Sequence, residues 1–314
     1  MKNLCRAAGG SLACALALAA CGPGVRGEVI ATTSILAAAL SQDTDFLYWR
    51  TEDAIVRLSK QGGTPETIVG GQPPGANTVV SGDRVFWLNQ IGAAVSLHSA
   101  ATTGGDERVL DPDENAGGPI FRNLASDGTF LYWSNESGEI RRAPVIGGDA
   151  VTFGQTDVLG TRPSLRASSV AVAGGVVFAT VVFGIARFEE GVAPGILQET
   201  WDQPEDITLS SPPDDFYYWV EPGSGAANGA VYRAPMTGGQ PARLAIREIN
   251  PDRPFSDGAN VYFSVGGASE RIRRARVSGS SEADDFSDGH GELVVDATHV
   301  YWIDRNGSVH KARK

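Results

Sequence analysis

Cysteine is nearly absent from this chain, and what there is lies at one end. Its three cysteines, Cys5, Cys14 and Cys21, all precede residue 22. The remaining chain can form no disulfide and no cysteine metal site. Positive charge is also in deficit: 26 Lys and Arg against 37 Asp and Glu give a formal net charge of −11. A body of that sign is repelled by nucleic acid and by anionic head groups, so no nucleic-acid partner is expected. Histidine is scarce, with His98, His290, His299 and His310 the four copies. No HExxH, GxSxG or phosphate-loop pattern occurs. Long apolar runs are missing too. Ala7 to Ala20 is apolar but too short to span a bilayer.

What the chain has is a recurring aromatic phrase. It reads Phe46-Leu47-Tyr48-Trp49, Val85-Phe86-Trp87, Phe130-Leu131-Tyr132-Trp133, Phe216-Tyr217-Tyr218-Trp219, Asn260-Val261-Tyr262-Phe263 and His299-Val300-Tyr301-Trp302. A degenerate copy, Val176-Val177-Phe178-Ala179, falls midway in the one double-length gap. The seven closing positions are then 38, 46, 46, 40, 44 and 39 residues apart. A period of roughly 40–45 residues is that of a four-stranded propeller blade. The runs are short, β-branched and aromatic, bounded by Gly, Asp, Asn and Pro, which reads as strand and not helix. In one repeat, strands are expected at 124–126, 130–133, 140–144 and 151–153. Gly-Gly turns close several hairpins, at 62–63, 104–105, 147–148 and 238–239. The chain is therefore read as an all-β, seven-bladed β-propeller of four-stranded antiparallel blades, with six or eight blades the alternatives. The seventh repeat lacks a fourth strand. Glu28-Val29-Ile30-Ala31-Thr32 is expected to supply it and close the ring, which removes free sheet edges.

The phrases resemble the YWTD class of β-propellers found in relatives of the low-density-lipoprotein receptor, and the repeat-bearing lipoproteins of Gram-negative bacteria. The resemblance covers about 28–314. It departs two positions after the marker, where that class has Asp. This chain has Thr51, Asn89, Asn135, Val181, Glu221, Val265 and Asp304 there. Asn89 and Asn135 are expected to cap the turn as Asp304 would. The class also implies six blades, against the seven counted.

The first residues read as a targeting segment. Lys2 and Arg6 precede the apolar stretch, and Leu18-Ala19-Ala20-Cys21 resembles the bacterial lipobox. The division is then signal peptide at 1–20, lipidated Cys21 and tether at 21–27, and propeller at 28–314. Palmitate-type acylation at Cys21 makes the membrane a partner through the lipid. Gly22 at the next position implies, by resemblance to Gram-negative sorting, an outer-membrane lipoprotein. Loss of 1–20 removes two basic and no acidic residues, leaving 24 against 37, or −13.

Two constellations stand out. Third-strand basic residues Arg57, Arg142, Arg187, Arg233, Arg274 and Lys311 recur at one equivalent site in six of the seven repeats, with Ser99 the exception. Their expected role is at the blade interface, paired with carboxylates such as Asp43, Asp127, Asp257 or Asp296, in preference to an anion-binding ring. Acidic segments between blades offer a binding face: Asp111 and Asp113, residues 199–206, Asp214 and Asp215, and 282–285. All are expected on one face of the ring. Trp201, off the phrase and beside Asp202, reads either as a contact for a cationic or carbohydrate ligand or as a plug beside Ala179. The functional reading is a monomeric, non-enzymatic binding or assembly module for an envelope protein or glycan, with no cofactor and no metal. The rival is an enzyme resembling lyase- or lactonase-type propellers. That resemblance would put a metal at the channel mouth, with His290, His299 and carboxylates to examine.

Overall fold

The computed structural model describes residues 27–33, 38–73, 75–91, 94–112, 124–135, 138–156, 167–200, 202–210, 215–223, 227–267, 270–279 and 282–314. They form seven four-stranded antiparallel sheets. Six blades take their strands in chain order from inside to outside, at 38–70, 75–111, 124–155, 169–199, 205–248 and 251–288. Blade 7 takes three strands from 291–313 and its outer strand from Glu28–Thr32, which pairs antiparallel with Ser308–Arg313. The ring is thus closed by the segment expected to close it. The degenerate repeat is a full blade, with Ala179 wholly buried opposite Ala186.

The aromatic phrase is apolar throughout because both of its faces are covered. Side chains alternate across a strand, so neighbours in the phrase point at different blades. In blade 1, Leu47 and Trp49 pack with Tyr301 and Ile303 of blade 7. Tyr48, between them, packs with Val85 and Trp87 of blade 2. The same division repeats at every junction: Trp133 toward blade 2 and Tyr132 toward blade 4, Trp219 toward blade 4 and Tyr218 toward blade 6. The core is therefore seven separate interfaces between blades and not one central cluster. Trp49, Trp87, Trp219 and Trp302 are all at most 1% exposed. Each buries 150–250 Å² of aromatic surface by the usual scale, about 4–6 kcal/mol before entropy is charged.

Antiparallel order gives the ring two distinct faces. Turns between first and second strands, and between third and outer strands, share one, here the turn face. Crossovers between blades and turns between second and third strands share the other, the mouth face. Backbone bonds tie the turn face together within a blade: Lys60 N–H to Asp45 O at 2.9 Å, Thr102 to Asp83 at 2.8 Å, Val145 to Thr129 at 3.0 Å. The Gly-Gly pairs sit on this face with φ of +90° and +126° at Gly62 and Gly63, which explains the choice of glycine.

The turn face corrects one expectation. Asp43, Asp127 and Asp296 do not hold third-strand arginines. One oxygen of each caps its own turn, as Asp43 does for Asp45 N–H at 2.8 Å and Phe46 N–H at 2.7 Å. The other accepts the phrase tyrosine: Tyr48 at 2.6 Å, Tyr132 at 3.2 Å, Tyr301 at 3.0 Å. Asp257 caps likewise but binds Lys314 Nζ at 2.6 Å. The third-strand basics lie instead over the first ring of the phrase, Arg57 on Phe46, Arg142 on Phe130, Arg233 on Phe216. Several then reach the next blade, as Arg57 does to Thr102 O at 2.8 Å and Arg142 to Glu190 at 2.9 Å. The interface role holds, with different partners.

Candidate functional site

The seven inner strands surround a channel of about 440 Å³, lined by residues from every blade. Its walls are mostly small or apolar, with Thr78, Val80, Ser126, Val170, Phe255 and Val294 among them. Charge is confined to one arc, where Asp206 of blade 5, Arg253 of blade 6 and Glu292 of blade 7 meet. The Arg253 Nε lies 3.0 Å from Glu292 Oε1 and 3.3 Å from Asp252 Oδ2. Its backbone N–H donates to Asp206 Oδ2 at 3.3 Å. Arg253 thus meets three carboxylates from three blades, two through its guanidinium and Asp206 through its backbone N–H, near the start of each inner strand and so at the mouth face.

Backbone geometry marks the same arc. The inner strands of blades 5 and 6 each carry a register shift, between Glu205 and Thr208 and between Asp252 and Phe255. Asp206 and Arg253 occupy these bulges with φ of +41° and +56°. Arg247, at a bulge near the end of the outer strand of blade 5, and Asn250, in the crossover to blade 6, have φ of +62° and +45°. Such conformations cost of order 1–3 kcal/mol each in a non-glycine residue and concentrate at functional sites.

The most exceptional of these residues is Phe183. It is the second residue of a two-residue hairpin between Val181 and Gly184, with φ of +66°. Gly or Asn is ordinary at that position; a bulky residue there is an outlier. It is also 53% exposed. Its carbonyl accepts Thr200 N–H at 3.0 Å, which ties it to the crossover from blade 4 to blade 5. Asp202 follows in that crossover, exposed, with its own carbonyl bonded by Thr200 Oγ1 at 2.8 Å. Ile91 and Ile249, 69% and 40% exposed, lie on the same face.

Beside Phe183, a cleft of about 280 Å³ runs between the outer strand of blade 4 and blade 5. Its floor is Trp219 and Tyr232, stacked at 5.1 Å, with Arg243 over the outer face of Tyr232. Glu221 is buried there and accepts Trp219 Nε1–H at 3.2 Å. Burial pushes its carboxyl above the usual range, against the lowering effect of bonds from Trp219 and Tyr232, and the charge of Asp202 adds to the rise. Glu221 holds the place of the Asp in the YWTD phrase. In blades 3 and 7 that place caps the turn: Asn135 accepts Glu139 N–H at 3.0 Å and Asp304 accepts Asn306 N–H at 2.8 Å. Asn89 does not cap. Its amide donates to Gln72 Oε1 at 2.9 Å in the preceding crossover, from blade 1 to blade 2.

The histidines do not converge. His299 starts a second strand on the turn face, bonded to Thr298 Oγ1 at 2.7 Å. His290 precedes the inner strand of blade 7 on the mouth face, buried, with its Nδ1 unbonded. Burial, then the Arg253 charge, holds it below the ordinary histidine pKa. His98 and His310 stack on Trp87 and Trp302. Among the described residues, no three His, Cys, Asp or Glu side chains are placed to share a metal ion.

The acidic segments are not all on one face. Asp111 ends the outer strand of blade 2, is 8% exposed, and pairs with Arg141 of blade 3 at 3.1 Å. It is an interface carboxylate and not a surface one. Asp215 lies in a turn between first and second strands, on the turn face, where its carbonyl accepts Met236 N–H at 2.8 Å. Asp284 and Asp285 sit in the outer strand of blade 6 against Arg274, Arg271 and Arg273. The 199–206 segment lies where expected, with Asp202 and Asp206 on the mouth face. Cys21, Asp113, Trp201 and Asp214 lie outside the described residues. Phe183, Arg253 and Glu292 carry no sign in the sequence. They emerge only when hairpin lengths and blade neighbours are known.

No family model matches the chain, and no curated protein matches it. Solved structures do. A GH74 xyloglucanase from Xanthomonas campestris superposes with a TM-score of 0.68 at 12% identity, over 93% of this chain and 53% of that one. YCF48 bound to D1 peptide gives 0.64 at 11% identity, over 93% and 96%. BamB from Moraxella catarrhalis gives 0.55 at 14%, over 91% and 85%. The likeness is one of fold: this chain is a β-propeller. At such identity it carries no activity across, and the chain spans about half the length of the xyloglucanase.

Proposed function

We propose that this protein is a lipid-anchored binding or assembly module of the bacterial envelope, contacting a protein or glycan partner through the mouth face of its propeller. One observation carries the reading: an exposed phenylalanine held in a left-handed turn, Phe183, beside the exposed Asp202. Packing does not require that ring, and the turn would relax without it. An exposed aromatic on a rigid frame is the usual form of an interface anchor. Attachment through Cys21 and an outer-membrane location follow from the lipobox resemblance.

The test is affinity capture from envelope extracts with the 22–314 fragment, alongside Phe183→Gly and Asp202→Lys variants of unchanged circular dichroism. A specific component should be retained by the parent and depleted about tenfold by either substitution. Retention unchanged by both would place the contact elsewhere, and no retained component would defeat the binding reading. One observation favours a catalytic rival, the unbonded Nδ1 of His290 near Arg253 at the channel mouth. His290→Ala would abolish turnover in that case and leave capture unchanged in ours.

A further inference from the structure

We infer that the cleft between blades 4 and 5 seats a basic side chain of a protein partner, with Glu221 as the counter-charge to its ammonium or guanidinium group. The inference rests on the binding reading above for the existence of a partner and adds that partner's chemistry. Three carboxylates are buried among the described residues: Asp111, Glu221 and Glu248. Two have a cation of their own, as Asp111 pairs with Arg141 and Glu248 with Arg273, each at 3.1 Å. Glu221, 7% exposed, forms no ion pair among the described residues. Its hydrogen bonds come from Trp219 and Tyr232, both neutral donors. Blade 7 offers the contrast at the equivalent place. There Asp304 meets His310 Nε2 at 2.9 Å, and His310 stacks on the marker Trp302. In blade 5 the residue stacked on the marker Trp219 is Tyr232, which brings a hydroxyl and no basic nitrogen. Carboxylates are rarely buried without a cation, because the desolvation of their charge is then not offset.

The cleft supplies the room and the remaining contacts. Trp219, Tyr232 and Arg243 are paired across successive strands of blade 5 and form its floor. The outer strand of blade 4 brings the exposed Glu199 to its edge. Asp202 stands close enough for its charge to raise the Glu221 pKa. Arg243 lies over Tyr232, 5.7 Å from the ring centre, and does not pair with Glu221. Acid therefore exceeds base here, with Glu199, Asp202 and Glu221 against Arg243. At about 280 Å³ the space falls below the roughly 300–1,000 Å³ of sites for drug-sized ligands, so it suits one side chain and not a whole small molecule. Lysine and arginine match both of its parts, with an apolar stem against Pro241 and Tyr232 and a charged head at Glu221. The place also suits a partner held at Phe183, whose carbonyl accepts the N–H of Thr200 in the cleft wall.

The full chain would be titrated calorimetrically with Nα-acetyl-lysine methylamide and Nα-acetyl-arginine methylamide. Nα-acetyl-norleucine methylamide, which keeps the stem without the charge, and glucose serve as neutral probes. At least one basic probe should bind in the millimolar range, about tenfold or more tighter than either neutral one. Glu221→Gln keeps the shape and drops the charge, and should weaken the basic probe about tenfold with circular dichroism unchanged. Arg243→Gln removes a repelling charge and should tighten it severalfold, a gain that a purely structural Glu221 would not produce. Equal affinity for basic and neutral probes, no binding of a basic probe, or binding unchanged by Glu221→Gln overturns the inference. Preference for glucose overturns it in favour of a glycan. Capture from envelope extracts separates this from the binding reading. A component retained equally by the parent and Glu221→Gln overturns the cleft's role and leaves the reading standing. A basic probe bound through Glu221 with no component captured defeats the reading, and the partner with it, while the cleft's chemistry stands.

Discussion

Phe183 and Arg50 are the two residues whose environments least resemble the rest of the ring. Removing the phenylalanine side chain frees a strained turn and loses little burial. Phe183→Gly is therefore expected to stabilise the protein by ~1 kcal/mol, raising the melting midpoint by about 2 °C. The same change should weaken partner capture, the usual opposition of stability and function at a strained contact. A fall in midpoint in calorimetry would show that the ring packs and does not strain. Arg50 is 1% exposed and makes one long bond, 3.4 Å to Leu88 O of the next blade. Its Nε and Nη2 have no hydrogen-bond partner, and burial holds its pKa down to about 10. A base whose folded pKa lies below its unfolded value destabilises the fold wherever it is charged. Arg50→Met keeps the stem and drops the charge, and should raise the unfolding free energy measured in urea by ~1 kcal/mol or more. A loss of that size would mean the bond to Leu88 outweighs desolvation.

Among elements, the turn between first and second strands is the repeated device. Asp296 accepts Thr298 N–H at 2.8 Å, His299 N–H at 2.9 Å and Tyr301 Oη–H at 3.0 Å, with Lys60 Nζ at 3.4 Å. Burial alone would raise its pKa, but these bonds outweigh it and bring the carboxyl down to about 2. The unfolded chain then holds the proton more tightly than the folded one. The stabilisation, roughly 2 kcal/mol, is complete above about pH 5 and is lost as pH falls toward 2. Asp296→Asn should therefore lose stability at pH 7 and almost none near pH 2, flattening the acid limb of a stability–pH curve. An equal loss at both pH values would refute the carboxylate's role. The element is half legible in sequence. Strand limits, the aspartate and the phrase tyrosine can all be read from the period. Their bond to one another, and the stacking of Arg57 on Phe46, depend on which strand face each side chain takes.

For the whole molecule, closure depends on five residues from one end of the chain. Deleting 28–32 leaves Ser308–Arg313 as an open sheet edge and separates blade 7 from the Gly63 turn of blade 1. The expected result is loss of the single cooperative unfolding transition and concentration-dependent association, read by calorimetry and light scattering. A sharp transition and a monomeric species would show that the ring holds without this strand. Seven blades, their four strands and the closing segment were all determined by the sequence, because each rests on local period, turn residues and the alternation of a strand. Only the tertiary structure decided which loops share a face, since that depends on whether a loop joins strands within a blade or between blades. It moved Asp111 into an interface and Asp215 to the far side, and it brought Asp206, Arg253 and Glu292 together from three successive blades, 47 and 39 residues apart in sequence. Contacts of that kind form around the ring, in a direction that no period along the chain records.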